Sequence, residues 1–230
     1  IAGVCRGQGV SFGQFAIGVM CLALVLTLLA GPSKSVEDDA EPETKDVKVT
    51  FKLVLIPGLI IMIAFMTEQA TEAWSALHIE RVLEVSAELS ALGPAILGIT
   101  MGLGRLAGHY GMKSRSERSV VAVGALVTAF GALLAAWSNA SIGVYAGFAL
   151  LGAGVSVMVP MIFSYVSKST PKRLRTQVIS RVSVIGYAGF FLGPPMMGLL
   201  SEIGTLTLSF SVIGVLLLSV PILLLVERRT

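Results

Sequence analysis

The sequence predicts an all-α membrane fold: a polytopic helix bundle of seven transmembrane helices, one helix followed by a six-helix unit. Three observations predict it. Of the 230 residues 54% are hydrophobic and only 13% charged, with a mean hydropathy of +0.84, whereas soluble domains carry about 25% charged residues. A soluble protein of this length could not hide so much apolar surface, so the excess must face lipid. Seven apolar runs are long enough to cross a bilayer. The basic residues between them alternate in density from one linker to the next.

A helix needs about 20 apolar residues to span the hydrocarbon core. The runs that qualify are 10–30, 52–73, 87–107, 118–137, 142–165, 178–200 and 205–226. The first is followed by Gly31-Pro32 and a charged stretch. It is longer than the apolar core of a secretory signal and shows no small-residue cleavage site, so it is expected to be a true span. The chain opens on Ile rather than Met and is expected to be part of a longer protein. Residues 32–50 read as a solvated linker with six acids, Glu37, Asp38, Asp39, Glu41, Glu43 and Asp46, and contain every aspartate of the chain. Residues 51–230 then form the six-span unit.

Orientation follows from charge. With the first span running inward, 15 of the 17 Lys and Arg residues fall on the inner side and only Arg6 and Arg81 on the outer. Leaving out Arg105 and Arg181, which sit at span ends, the division is 13 against 2. This is the cytoplasmic excess of positive charge seen in membrane proteins, and a missed or invented span would scramble it.

Two stretches have distinctive local chemistry. Between the third and fourth runs stands Gly104-Arg105-Leu106-Ala107-Gly108-His109-Tyr110-Gly111-Met112-Lys113. Gly104 and Gly108 form a small-xxx-small pair that allows close helix approach. Gly111 permits a turn, and Arg105, Lys113, Arg115 and Arg118 form a basic cluster suited to anionic headgroups. The sixth run carries Gly186, Gly189, Gly193 and Gly198 with Pro194-Pro195. The glycines thin that helix and the prolines remove backbone donors, which favours a bend. Simple close packing is the competing reading.

One span, a charged inner loop and six further spans resemble spans six to twelve of the major facilitator superfamily, whose halves are each two inverted three-helix repeats. The 104–113 stretch resembles that family's inner-loop signature, G-x-x-x-D-R-x-G-R-K. Gly104, Gly111 and Lys113 match it; Gly108 stands where the acid belongs, and His109 and Met112 replace arginines. The missing acid puts the signature's charge-relay role in doubt. The Gly-Pro-rich sixth run resembles the family's eleventh helix. The sequence Glu68-Gln69-Ala70-Thr71-Glu72-Ala73-Trp74-Ser75 is similar to the seventh helix of a bacterial sugar-permease-like branch. The resemblance implies a secondary transporter in a bacterial inner membrane, working by alternating access. Its partners would be a small-molecule solute, a proton, the lipid bilayer and an N-terminal half.

Within the spans, ionisable groups are costly and are the first functional candidates. Glu68 and Glu72 are four residues apart and share one helix face. Two carboxylates that close in a poorly hydrated site cannot both ionise cheaply, so one is expected to hold a proton, as coupling requires. Counting from Lys52, Glu68 lies about 24 Å up the helix, which puts it in the outer half of a span ending at 73. Gln69 and Thr71 could bond a polar solute, and Trp74 could line the site or anchor the outer interface. His78 and Glu80 are expected in a solvated outer connection. Cys5 and Cys21, with the distant His78 and His109, fit no metal motif, and no cofactor or nucleic-acid partner is expected. A seven-helix receptor is the alternative. A retinal protein would need a lysine in the last span, which has none. A membrane enzyme would need a clustered set of His, Asp or Glu.

Overall fold

A computed structural model describes residues 51–111 and 115–228, together with Val25. The rest of the first predicted span, the charged linker and Lys113 lie outside the described residues. The chain divides into two units, Ile1–Asp46 and Val47–Thr230, and the second is the one described. It consists of α1 (Phe51–Leu83), α2 (Ala87–Ser90), α3 (Leu92–Gly111), α4 (Glu117–Trp137), α5 (Ser141–Ser169), α6 (Lys172–Ile203), α7 (Leu206–Leu217) and α8 (Ser219–Arg228). Among the described residues, six segments are long and apolar enough to cross a membrane: Leu53–Leu83, Ala87–Gly108, Glu117–Trp137, Ser141–Ser169, Lys172–Ile203 and Leu206–Glu227. Each corresponds to one of the last six predicted spans.

Local chemistry explains where the helices stop. Glu84, with φ 52°, takes the left-handed conformation that commonly ends a helix and closes α1. Ser116 caps α4 by accepting from the Ser119 N–H, and Thr205 caps α7 by accepting from the Leu208 N–H. The last span is interrupted at Leu218, whose N–H bonds Val215 O in a tighter turn. Pro221, lacking an N–H, cannot bond the carbonyl four residues back. Pro57, Pro160, Pro194 and Pro195 instead lie inside continuous helices. The expected thinning of α6 is found, and the helix runs unbroken through its proline pair.

Glycine contacts define the packing order. A Cβ on Gly131 would lie 2.6 Å from Gly147 O, and one on Gly154 2.5 Å from Gly124 O. Residue numbers rise on α4 as they fall on α5, so this pair is antiparallel and touches backbone to backbone. Between α1 and α6 the offset is constant: Gly189 meets Met62 and Met66, Gly193 meets Met66 and Ala70, and Gly198 meets Trp74. Those helices run parallel. Gly104 and Gly152 give a parallel contact of α3 with α5, through Ser156 and Thr100 respectively. Arg118 bonding Glu227, and Trp137 bonding Ser211, make α4 antiparallel to the last span. Six spans that alternate in direction satisfy all these contacts. The core among α1, α4, α5 and α7 is filled by Ile60, Ile79, Phe148, Met158, Phe210 and Ile213. Interleaved small residues replace the hydrophobic drive that lipid removes.

Candidate functional site

The candidate face is built on the middle of α1. In the structure this helix continues to Leu83, ten residues past the expected end at 73. Glu68 therefore sits near the midpoint of the span rather than in its outer half, and Glu72 and Trp74 lie within the helix rather than at its outer edge. Sequence hydropathy fades after 73 because Glu72, His78, Glu80 and Arg81 break the apolar run. The helix persists because one side of that segment, Ser75, His78 and Ile79, is wholly buried.

The Glu68 carboxylate lies 3.8 Å from the Arg105 guanidinium of α3, with side-chain exposures of 19% and 55%. α1 and α3 form an antiparallel hairpin, so an arginine about two thirds of the way down α3 meets the midpoint of α1. Arg105 is thus an intramolecular ion partner rather than only a headgroup anchor. Gln69 donates to Glu72 at 3.2 Å on the exposed side. Spacing alone had joined Glu68 to Glu72; the structure gives each a different partner.

Three aromatic residues missed by sequence reasoning border this face. Phe65 stacks on Phe190 with centroids 4.3 Å apart and on Tyr187 at 5.4 Å. Phe65, Glu68, Gln69 and Glu72 follow helical spacing and share one side of α1. The signal was present in that spacing, but the partners from α6 could not be read without knowing that α1 and α6 are neighbours. Exposed Tyr187, Phe191 and Leu192 continue the surface along α6, and Ile99, Leu103 and Leu106 along α3.

Other expected site residues have structural duties. Trp74 donates its indole N–H to Pro194 O at 3.2 Å and rests its ring against Gly198, joining α1 to α6. Thr71 is fully buried and its hydroxyl is spent on Thr67 O at 2.8 Å, so it does not face a solute. The glycines Gly189, Gly193 and Gly198 belong to the same seam, whereas Pro195 is exposed. Gly104 packs on Ser156 and Ala153 of α5, Gly108 is buried, and Gly111 is the last residue of α3. Arg118 bonds Glu227 at 3.0 Å and Leu224 O at 3.2 Å and lies over the Tyr165 ring. Glu117 pairs with Lys168 beside it. His78 is the clearest correction. It is fully buried, donates from Nε2 to Ala135 O at 2.9 Å, and meets Phe148 and Phe210 edge-on. Among the described residues no three His, Cys, Asp or Glu side chains converge as a metal-binding group.

Among the described residues, six spans of alternating direction, each long and apolar enough to cross a membrane, define a multi-pass membrane protein. Residues 114–230 match the family profile of the Major Facilitator Superfamily, and the chain belongs to that family. It is 28% identical over 206 residues to an uncharacterized MFS-type transporter of Yersinia pestis, covering 89% of this chain and 53% of the relative. It is 32% identical over 149 residues to membrane protein MosC of Rhizobium meliloti, covering 65% and 36%. A transporter, y4wD of Sinorhizobium fredii, is 26% identical over 170 residues, covering 74% and 45%. The chain spans about half the length, or less, of the curated relatives it matches. Membership of this family points to a transporter rather than an enzyme.

Proposed function

We propose that this chain supplies the C-terminal half of a secondary active transporter that moves a small polar solute across a bacterial inner membrane by alternating access, coupled to protons. The observation that carries the reading is the Glu68–Arg105 pair at mid-depth of the bundle. A carboxylate there is costly unless it is paired or protonated. Protonating Glu68 removes its charge and releases Arg105, so one proton changes the link between α1 and α3. That is a means of tying proton uptake to helix movement. Phe65, Tyr187 and Phe190 supply ring faces, and Gln69 and Glu72 supply hydrogen-bonding groups, on the same open side. Such a set suits a polyhydroxylated ring, apolar on its faces and polar at its edge. The N-terminal half, ending in the span at 10–30 and joined by the linker 32–50, would close the opposite wall.

The test is gradient-driven uptake by the full-length protein in proteoliposomes, with a panel of sugars and related polar solutes. Glu68→Gln should abolish accumulation driven by a proton gradient while keeping solute exchange at equal concentrations on both sides. Unchanged gradient-driven uptake in Glu68→Gln would remove Glu68 from coupling.

A further inference from the structure

The open face of α1 carries more acid than base. Three charged side chains border it: Glu68, Glu72 and Arg105. Arg105 lies 3.8 Å from Glu68, so the charges of that pair offset each other. Glu72 is left over. It is exposed, and its carboxylate accepts from the neutral Gln69 amide at 3.2 Å. Among the described residues it has no ion-pair partner. The basic residues around it lie elsewhere. α3 has no Lys or Arg besides Arg105. Arg81 is nine residues beyond Glu72, about 180° round α1 from it. Arg181 of α6 is six residues before Tyr187 and about 120° round that helix from it. Glu80, the next acid outward on α1, has the same sign as Glu72.

Glu72 stands eleven residues inside the end of α1, about 16 Å along the axis. A lone carboxylate at such depth is costly unless water or a counter-charge reaches it. A solute seated on the face displaces water from it. A neutral solute gives back no charge, so the lost hydration counts against binding. A cation replaces the water with a charge-assisted hydrogen bond, in surroundings less polar than bulk solvent. The leftover charge therefore selects the solute by sign.

The same helix sets the size of the solute. Phe65 and Glu72 are seven residues apart on one side of α1, about 10 Å along its axis. Glu68 and Gln69 lie between them. Phe65 belongs to the stack with Tyr187 and Phe190, and Tyr187 is exposed. A single substituted ring fits that interval, with one end against the aromatic stack and the other at Glu72.

Building on the reading of this face as the solute site, we propose that the solute is a polyhydroxylated ring bearing a protonated amine, with an amino sugar as its simplest form. The ammonium pairs with the Glu72 carboxylate, the ring packs against the aromatic stack, and Gln69 bonds a hydroxyl. Glu68 and Arg105 are left to the proton. The two acids of the face thus have separate duties: Glu72 reads the charge of the cargo, and Glu68 answers to the gradient.

The experiment measures binding to the purified full-length protein in detergent, with no gradient, at constant ionic strength and pH 6.5, where the amines are protonated. Tryptophan fluorescence and thermal unfolding report it. The probes are glucosamine, galactosamine and mannosamine, each beside its parent hexose and its N-acetyl form, which keeps the nitrogen and loses the charge. In at least one set the amine should bind at least tenfold more tightly than both neutral members. Glu72→Gln, a change at an exposed position that the melts will show to be folded, should remove that preference. No set favouring its amine, or a preference unchanged in Glu72→Gln, would overturn the proposal. Failure here is distinguishable from failure of the coupling reading. A neutral hexose bound tightest and accumulated under a proton gradient removes the amine and leaves coupling intact. An amine preference lost in Glu72→Gln, with accumulation undiminished in Glu68→Gln, does the reverse.

Discussion

The α4–α5 seam and the α1–α6 seam use the same device to different ends. Both bring backbones into contact through glycine, Gly131 against Gly147 in the first and Gly193 against Met66 in the second. The α4–α5 seam is apolar around its close contacts, and the buried Thr128 turns its hydroxyl back to Gly124 O at 2.7 Å. The α1–α6 seam is closed on one side and open on the other, and its open side holds Glu68, Gln69, Glu72 and the aromatic stack. Close approach packs the helices in both, while of the two seams it is the α1–α6 seam that has polar and aromatic side chains beside it. Glycine content marks where helices touch; the polar residues one turn away mark which contact borders a working surface.

That comparison can be broken most directly at Gly131. A leucine there meets backbone rather than a movable side chain, so Gly131→Leu should destabilise the bundle by about 3 kcal/mol or more. Thermal unfolding in detergent would show loss of a folded population, and a native melting profile would mean that the seam is not close-packed. Next is Arg105→Gln. It breaks the exposed end of a half-exposed pair, so stability should change by less than about 1 kcal/mol, while proton-driven uptake by the full-length protein falls at least tenfold. A large drop in melting temperature with uptake preserved would make the pair structural. Arg118→Gln should cost about 1.5–3 kcal/mol, the range for hydrogen bonds to charged groups, without altering the solute preference of the transporter. A smaller effect belongs to Trp74→Phe, which keeps the ring on Gly198 and loses the bond to Pro194 O. It should cost about 0.5–1.5 kcal/mol, measured by the same melts.

Most of the architecture was legible because lipid imposes a blunt rule: apolar runs of sufficient length are spans, and basic residues gather on one side. The end of α1 was not legible. A hydropathy reading stops at the first polar cluster, whereas the helix continues because Ser75, His78 and Ile79 face the core while Glu80 and Arg81 face out. His78 was misjudged for the same reason. Its burial depends on Phe148 and Phe210, which lie 70 and 132 residues further along the chain. The site was half visible. Glu68 stood out as a carboxylate inside a span, and Arg105 stood out as a charge at a span end. Their meeting required the length of α1, since a helix ending at 73 would place Glu68 too near the α1–α3 turn to reach Arg105. The aromatic stack needed the parallel pairing of α1 and α6, which are separated by three intervening spans.

The constant offset between α1 and α6 has a mechanical consequence. Gly189, Gly193 and Gly198 each fit one notch on the facing helix, and no notch can be exchanged for the next without driving backbone into side chain. Sliding by a turn would lift all three out together. A displacement of either helix along its axis would therefore have to carry the other with it.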